Sequence, residues 1–470
     1  MTPDEFRAAG YRIIDWIADY RAGIEPRPVM AKSSPGEIIA QLPPAPPQRP
    51  ESFEAIIGDL DRIVMPGITT WQHPRFFGYF PAGGALSSVL GDFVSSGLGV
   101  VGLAWQSSPA LTEVEEVTTS WMRQMLGLSE AWSGVINDTA STSTLVALIC
   151  ARERASDYGL ARGGLQEETR PLIVYVSSHS HSSVEKAALL AGFGKAHVRS
   201  VPLDAAYAMR ADALEEMVKD DILNGRKPCA VVATTGTTTT TAFDPLDAIA
   251  RIAEANGLWL HVDAAMAGSA MILPECRSLW HGVERADSLI VNPHKWLGVV
   301  FDCTLYFVRD PEHLVRVMST NPSYLQTAAD GRVKNYRDWG LPLGRRFRAL
   351  KLWFLIRDQG VEGLQARLRR DLENAKWLEQ QISIAPNWRV LAPVPLQTLC
   401  VRHEPPGLDG EALDRHTLGW AARLNQSGDA YVTPAMLDGR WMVRVSIGAE
   451  LTEREHVDQL WKLMQLALDD

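Results

Sequence analysis

The run Ser288-Leu-Ile-Val-Asn-Pro-His-Lys-Trp-Leu-Gly constrains this chain more than any other stretch. Its apolar, β-branched opening reads as a buried strand, and that strand stops abruptly at Asn292-Pro293-His294-Lys295. A lysine where a buried strand ends is costly unless it is paired, desolvated for chemistry or covalently modified. Lys295 therefore either carries its amine out to solvent along an apolar stem or serves as a nucleophile toward a carbonyl group. The rest of the chain decides between the two.

From about 85 to 360 the sequence alternates strand-like and helix-like segments. Strands are predicted at Leu172–Ser177, Ala230–Thr235, Trp259–Ala264, Ser288–Asn292 and Cys303–Val308. A helix is predicted over Pro245–Ala255, with Asp244 as its cap and Gly257 just past its end. This alternation predicts an α/β fold with a mostly parallel central sheet and helices on both faces. Ligands of such sheets bind at the carboxyl ends of the strands. Polar residues collect there: Ser177–Ser183, Thr234–Thr241, Asp263 and Asn292–Lys295.

The flanks read differently. Thr2, Pro3 and Glu5 start a helix carrying Phe6, Ile13, Ile14 and Ile17 near one face, an apolar stripe that needs a cover. Residues 25–50 are a proline-rich connector, and a second helix is expected over about 52–65. Trp71-Gln-His-Pro-Arg-Phe-Phe-Gly-Tyr-Phe-Pro81 is dense in aromatics without helical or strand period, which suits either an ordinary core or the wall of an aromatic pocket. Beyond 365, a charged helix (Gln365–Ile384), strands near 388–403 and 441–446 and a helix near 452–468 read as a small α/β domain. The expected organisation is an N-terminal helical segment over 1–84 packing on a partner subunit, a large domain over 85–364 and a small C-terminal domain over 365–470.

A net charge of −10 over 470 residues argues against nucleic acid or an anionic membrane as partner. The five cysteines are scattered without Cys-x-x-Cys spacing and read as reduced thiols. No stretch approaches the roughly 20 apolar residues of a membrane span. Asp4 and Glu5 stand where a signal peptide would be basic, so the expected setting is cytoplasmic.

Five local features belong together if Lys295 holds a carbonyl cofactor. Asp263, ending the apolar strand Leu260-His-Val-Asp, needs a cation, which a protonated pyridine nitrogen would supply; a helix cap or structural ion pair is the plainer account. Asp138-Thr-Ala-Ser-Thr-Ser-Thr144 leads into the apolar helix Leu145–Ala151 and suits either an anion site or simple capping by Ser141 or Thr142. Ser177-Ser-His-Ser-His-Ser-Ser offers His179 or His181 to lie on a flat ring or move protons, and no further His or Cys cluster supports a metal. The threonines of Ala233-Thr-Thr-Gly-Thr-Thr238 could bond a phosphate or a ring hydroxyl. His294 stands beside the lysine. Each is weak alone; together they describe a site for pyridoxal phosphate.

Over essentially its whole length the sequence resembles the aromatic-L-amino-acid decarboxylases, a branch of the group II pyridoxal phosphate-dependent decarboxylases. The most specific motifs are Asn-Pro-His-Lys-Trp at 292–296 and His-Val-Asp-Ala-Ala at 261–265, with Leu343-Gly-Arg-Arg-Phe-Arg348 also close to the family pattern. The resemblance implies the aspartate aminotransferase-like fold type I of these enzymes. It implies that Lys295 forms the Schiff base, Asp263 partners the pyridine nitrogen and His181 stacks on the ring. Ala140, Ser141 and Asn292 resemble the phosphate-binding set and Thr237 the residue near the ring hydroxyl, with Ala265 and His294 in the adjoining motifs. Tyr324, in Pro322-Ser-Tyr-Leu, matches the tyrosine of a loop that closes over substrate and helps protonate Cα. Trp71, Tyr79, Phe80, Ala82, Val101, Leu103 and Gly344 match the substrate pocket, with Val101 and Leu103 lent by a partner subunit in a homodimer. The family often has threonine or serine where Ala82 stands and tyrosine where Met266 stands.

The activity so implied is decarboxylation of an aromatic L-amino acid, DOPA first, with 5-hydroxytryptophan, tryptophan, phenylalanine and tyrosine as alternatives. An aromatic aldehyde synthase would use the same scaffold with oxygen; members of that kind commonly replace the loop tyrosine or the stacking histidine, and Tyr324 and His181 are both intact. An aminotransferase and a catalytically silent homologue are the remaining rivals.

Overall fold

Runs of buried apolar residues build the central sheet of this computed structural model, which describes residues 1–320, 323 and 329–468. Its strands are β1 (Ser133–Asn137), β2 (Leu172–Ser177), β3 (Val198–Val201), β4 (Lys227–Thr234), β5 (Trp259–Asp263), β6 (Ser288–Val291) and β7 (Thr304–Val308). They lie in the order β1-β7-β6-β5-β4-β2-β3. The pairs from β3 through β6 are parallel, while β7 runs antiparallel to both β6 and β1. β2, β5, β6 and β7 are buried at every position, as strands covered on both faces must be. The mostly parallel α/β sheet is therefore as expected from the alternating pattern. The added strands are β1, which contains Gly134, and the short β3 at the sheet edge.

Two expectations on local capping are corrected. The helix Leu246–Asn256 has Pro245 in the cap position, not Asp244, and closes on Gly257 in the left-handed region (φ +66°). Asp244 is instead buried, its carboxylate accepting the backbone N–H groups of Thr234 and Met209 at 2.7 Å each. That burial pushes its pKa up to about 7. The helix Ala140–Ala155 is capped by Thr139, whose hydroxyl accepts the Thr142 N–H, rather than by Ser141 or Thr142.

The chain forms two compact units, Ala82–Ala375 with Leu391–Leu399, and Met1–Pro81 with Lys376–Val390 and Cys400–Asp470. The first carries the seven-stranded sheet. In the second, the helix Pro3–Ala22 begins with a reciprocal Thr2–Glu5 capping box, and none of its residues is buried. A four-stranded sheet, ordered β10-β11-β9-β8, joins β8 (Trp388–Val390), β9 (Thr398–His403), β10 (Thr433–Leu437) and β11 (Arg440–Ser446). Among the described residues, no helix is long and apolar enough to cross a membrane.

His261 is a core residue of β5. Its ring bonds Ser288 Oγ at 2.8 Å and Thr144 Oγ1 at 3.4 Å, and burial lowers its pKa from 6.5 to about 4. Between those values the unfolded chain binds this proton and the folded chain does not. Its contribution is intact above pH 6.5 and is lost as the pH falls toward 4. We predict that the stability of the wild type relative to a His261→Asn variant falls by up to about 1.4 kcal/mol per pH unit across that window. Denaturation of both proteins from pH 7 to 4 checks this, and parallel curves would contradict it.

Candidate active site

Parallel register sets the site. Thr234 of β4 pairs with Asp263 of β5, and Asp263 pairs with Ile290 of β6, so the carboxyl ends of three strands finish level. Asp263 is buried there, and its Oδ1 accepts the Ala265 N–H at 3.0 Å. Ala265 O in turn accepts the Asn292 N–H at 2.9 Å, tying the end of β5 to the end of β6. Asn292 is buried, takes a hydrogen bond from Thr304 Oγ1 at 2.9 Å, and sets its Nδ2 3.3 Å from His294 Nε2.

Beyond Asn292 the chain turns through Pro293–Leu297, and Lys295 within that turn is half-buried. His294 is fixed beneath it. The Cys303 N–H donates to its Nδ1 at 2.9 Å, and its ring meets Phe301 edge-on at 4.9 Å. Burial first, and then the charge of Lys295, lowers the His294 pKa to about 4, so the ring is neutral. Gly83 lies against the same turn: a Cβ there would stand 2.2 Å from Val299 O, and only glycine allows the approach.

His181 caps the helix Ser182–Leu190. Its Nδ1 accepts the Ser183 N–H at 3.2 Å and lies 2.7 Å from Ser183 Oγ, which leaves the neutral ring's proton on Nε2. The residue is exposed at its edge, yet its ring is desolvated enough to lower its pKa. Lys295 lowers it further and Asp263 opposes the shift. Lys295 in its turn, Asp263 at the end of β5 and His181 at its helix cap are thus brought together. Ala140 and Ser141 form the first turn of the helix Ala140–Ala155, where backbone N–H groups have no partner within the helix. Thr237 is fully buried, and its hydroxyl lies 3.0 Å from Thr240 Oγ1 and accepts the Ala242 N–H.

The residues matched to a substrate pocket fall into two groups. In one unit, Trp71 stacks on Tyr79 with centroids 5.3 Å apart, and the Arg444 guanidinium lies over the Phe80 ring at 4.7 Å. This aromatic cluster also holds Phe76, inside the Trp71–Pro81 segment already singled out, and Tyr431, which sequence reasoning missed. Phe76 packs 4.7 Å from Trp71, and Tyr431 has its hydroxyl 3.3 Å from that of Tyr79. Nothing in the pattern around Tyr431 marked it, because its partners are more than 350 positions away. In the other unit, a Cβ on Gly344 would meet Val101 at 3.5 Å, which places these two side by side, while Ala82 and Leu103 are half-buried. Tyr324 lies outside the described residues.

The model of the pyridoxal-dependent decarboxylase conserved domain matches residues 35–404. The chain is 40% identical over 481 residues to the aromatic-L-amino-acid decarboxylase of Bos taurus, covering 99% of this chain and 96% of that one. It is 38% identical over 475 residues to a phenylacetaldehyde synthase of Arabidopsis thaliana, covering 99% and 96%. The crystal structure of Oryza sativa TDC with PLP and tryptamine superposes with a TM-score of 0.97 at 36% identity, covering 100% of this chain and 98% of that one. The chain belongs to the pyridoxal-dependent decarboxylase family and is a carboxy-lyase that uses pyridoxal phosphate. The site fits that cofactor: a half-buried amine and a buried carboxylate both bear on one histidine, beside strand ends held level.

Two arginines of the Leu343–Arg348 motif are anchors. Arg345 is buried and pairs twice with buried Glu115, at 2.6 and 3.0 Å, while also donating to Ile136 O of β1 at 2.7 Å. Glu115 accepts the Ile136 N–H at 2.8 Å. Arg348 grips Asp302 with two bonds of 3.1 Å. Removing one partner of such a pair strands a buried charge. We predict that Arg345→Met lowers stability by about 3–5 kcal/mol, whereas Arg345→Met with Glu115→Leu recovers much of that loss. Thermal unfolding of the three proteins tests it, and a double variant as unstable as the single would refute it.

Proposed function

We propose that the enzyme decarboxylates an aromatic L-amino acid to the corresponding amine and carbon dioxide, with DOPA as first candidate and 5-hydroxytryptophan, tryptophan, phenylalanine and tyrosine as alternatives. The observation that carries this reading is the convergence of Lys295, Asp263 and His181. Support for the substrate class comes from near full-length relatives named as aromatic-L-amino-acid and tryptophan decarboxylases.

When bound, pyridoxal phosphate supplies a carbonyl for the substrate amine and a ring that takes up the electron pair left by departing carbon dioxide. Lys295 anchors it between turnovers. Asp263 keeps a proton on the ring nitrogen, and its burial strengthens that hold. His181 covers one ring face and presents Nε2–H. The first-turn N–H groups at Ala140 and Ser141, at the positive end of a 16-residue helix, receive the phosphate together with Asn292. Thr237 would by family resemblance stand near the ring hydroxyl, with Ala265 and His294 in the adjoining cofactor motifs. By family resemblance, Trp71, Tyr79 and Phe80, and separately Ala82, Val101, Leu103 and Gly344, contact the substrate side chain.

A second reading is aromatic aldehyde synthesis with oxygen, favoured by the likeness to phenylacetaldehyde synthase. Incubation with each of the five amino acids, with and without air, separates the two. We expect amine equal to carbon dioxide in both atmospheres, and no turnover in Lys295→Ala. Aldehyde and hydrogen peroxide as main products under air would overturn decarboxylation in favour of the synthase.

The reading includes a homodimer in the cytoplasm. Leu86, Leu90, Phe93, Val94 and Leu98 are exposed along one face of the helix Leu86–Leu98, a stripe that a second copy of this chain would cover. None of the five cysteines forms a disulfide, which suits a reducing compartment. Sedimentation at micromolar concentration is expected to give a dimer, and Leu90→Glu with Phe93→Glu a monomer. A wild-type monomer would refute the assembly.

A further inference from the structure

Lys295 departs from the helical backbone around it, with φ −96° and ψ −111°. Its N–H bonds Asn292 O at 3.0 Å, but the direction in which the lysine leaves the turn depends on how the next residues are held. That hold comes from the helix Ala349–Ile384. Arg367 donates to Trp296 O at 3.0 Å and to Leu297 O at 2.5 Å. Asp371, one helical turn further on, accepts the Trp296 indole N–H at 2.8 Å. Trp296 and Asp371 are both fully buried. Gly298 closes the turn at φ +98°, and a Cβ there would lie 3.1 Å from the Arg367 guanidinium.

We propose that Arg367 and Asp371 are positioning residues for Lys295, fixing the two peptide units and the indole that follow it and so aiming its amine into the site. The buried carboxylate does not serve the indole alone, since Arg370 Nε lies 3.6 Å from its Oδ1. Burial raises the Asp371 pKa to about 6, and the neighbouring Arg367 charge works against that shift. An apolar side chain at 371 would fill the space but remove both the indole's acceptor and the charge beside Arg370, which is why Asp371→Asn is tested alongside Asp371→Leu. What the carboxylate adds is direction: it fixes the indole's rotation, and the Arg367 fork fixes the carbonyls on either side of the Trp296–Leu297 bond. The inference rests on Lys295 being the lysine that binds the cofactor covalently.

The test compares wild type, Asp371→Leu, Asp371→Asn, Arg367→Met and Trp296→Phe as full-length proteins stripped of cofactor and then titrated with pyridoxal phosphate. Cofactor affinity is read from quenching of protein fluorescence. Covalent attachment is read as the fraction of Lys295 trapped by borohydride, located by peptide mass. Loss of a buried charge-assisted hydrogen bond is expected to weaken cofactor binding about tenfold in Asp371→Leu, Arg367→Met and Trp296→Phe, with a matching fall in trapped Lys295. Asp371→Asn, whose amide oxygen can still receive the indole N–H, stays within about twofold of wild type. The Asp371→Leu, Trp296→Phe double variant is no worse than either single.

Wild-type affinity and full trapping in Asp371→Leu and Arg367→Met would overturn the proposal. So would a fall in the melting temperature of the stripped protein with trapping unchanged, which is the mark of a purely structural contact. If Asp371→Leu does not fold, Trp296→Phe and Arg367→Met decide alone. Trapping on a different lysine overturns this inference together with the assignment beneath it. Normal trapping without amine formation overturns only the aromatic decarboxylase reading.

Discussion

Parallel register between β4, β5 and β6 is the constraint on which the site rests. It brings Thr234, Asp263 and Ile290 level, and the loops that follow inherit that alignment. Side chains alternate along a strand, so His261 and Asp263 share a face of the sheet. His261 touches Thr144 of the helix Ala140–Ala155, which identifies that face as the one this helix covers. Pinning His261 to Ser288 and Thr144 thus also fixes where Asp263 points. A slip of one residue would turn the carboxylate to the opposite face and leave a histidine in a pocket shaped for valine.

Most of this was legible in the sequence because parallel strands buried on both faces announce themselves as apolar runs, and chemistry at their ends as sudden polarity. Lys295 and Asp263 stand out by that contrast, which leaves His179 and His181 equivalent; the family resemblance is what singles out His181. Asp244 misled because Asp-Pro before an amphipathic run is a standard helix start. Here the carboxylate is spent on the N–H groups of Thr234 and Met209, a tertiary use that no local pattern reports. Likewise Thr139, not Ser141, caps its helix; three hydroxyls in succession offer equivalent local chemistry, and only the backbone path chooses among them. Tyr431 and the Arg367–Asp371 pair lie in ordinary-looking segments and acquire meaning through distant partners.

Met266 shows how a departure from the family pattern is absorbed. It is buried, and its sulfur accepts a hydrogen bond from Gln397 Nε2 at 3.1 Å. A flexible thioether fills the space under the strand ends while offering a weak acceptor, so the position can lose a hydroxyl without leaving that amide nitrogen unsatisfied.

The charges of the site are segregated, and the histidines are what keep them so. His294 and His181 both lie near Lys295, and in both a backbone N–H donates to Nδ1, from Cys303 and from Ser183. Burial, followed by the lysine's own charge, lowers both pKa values and holds each ring neutral near pH 7. With both rings neutral, Lys295 and Asp263 are the opposite charges that bear on His181.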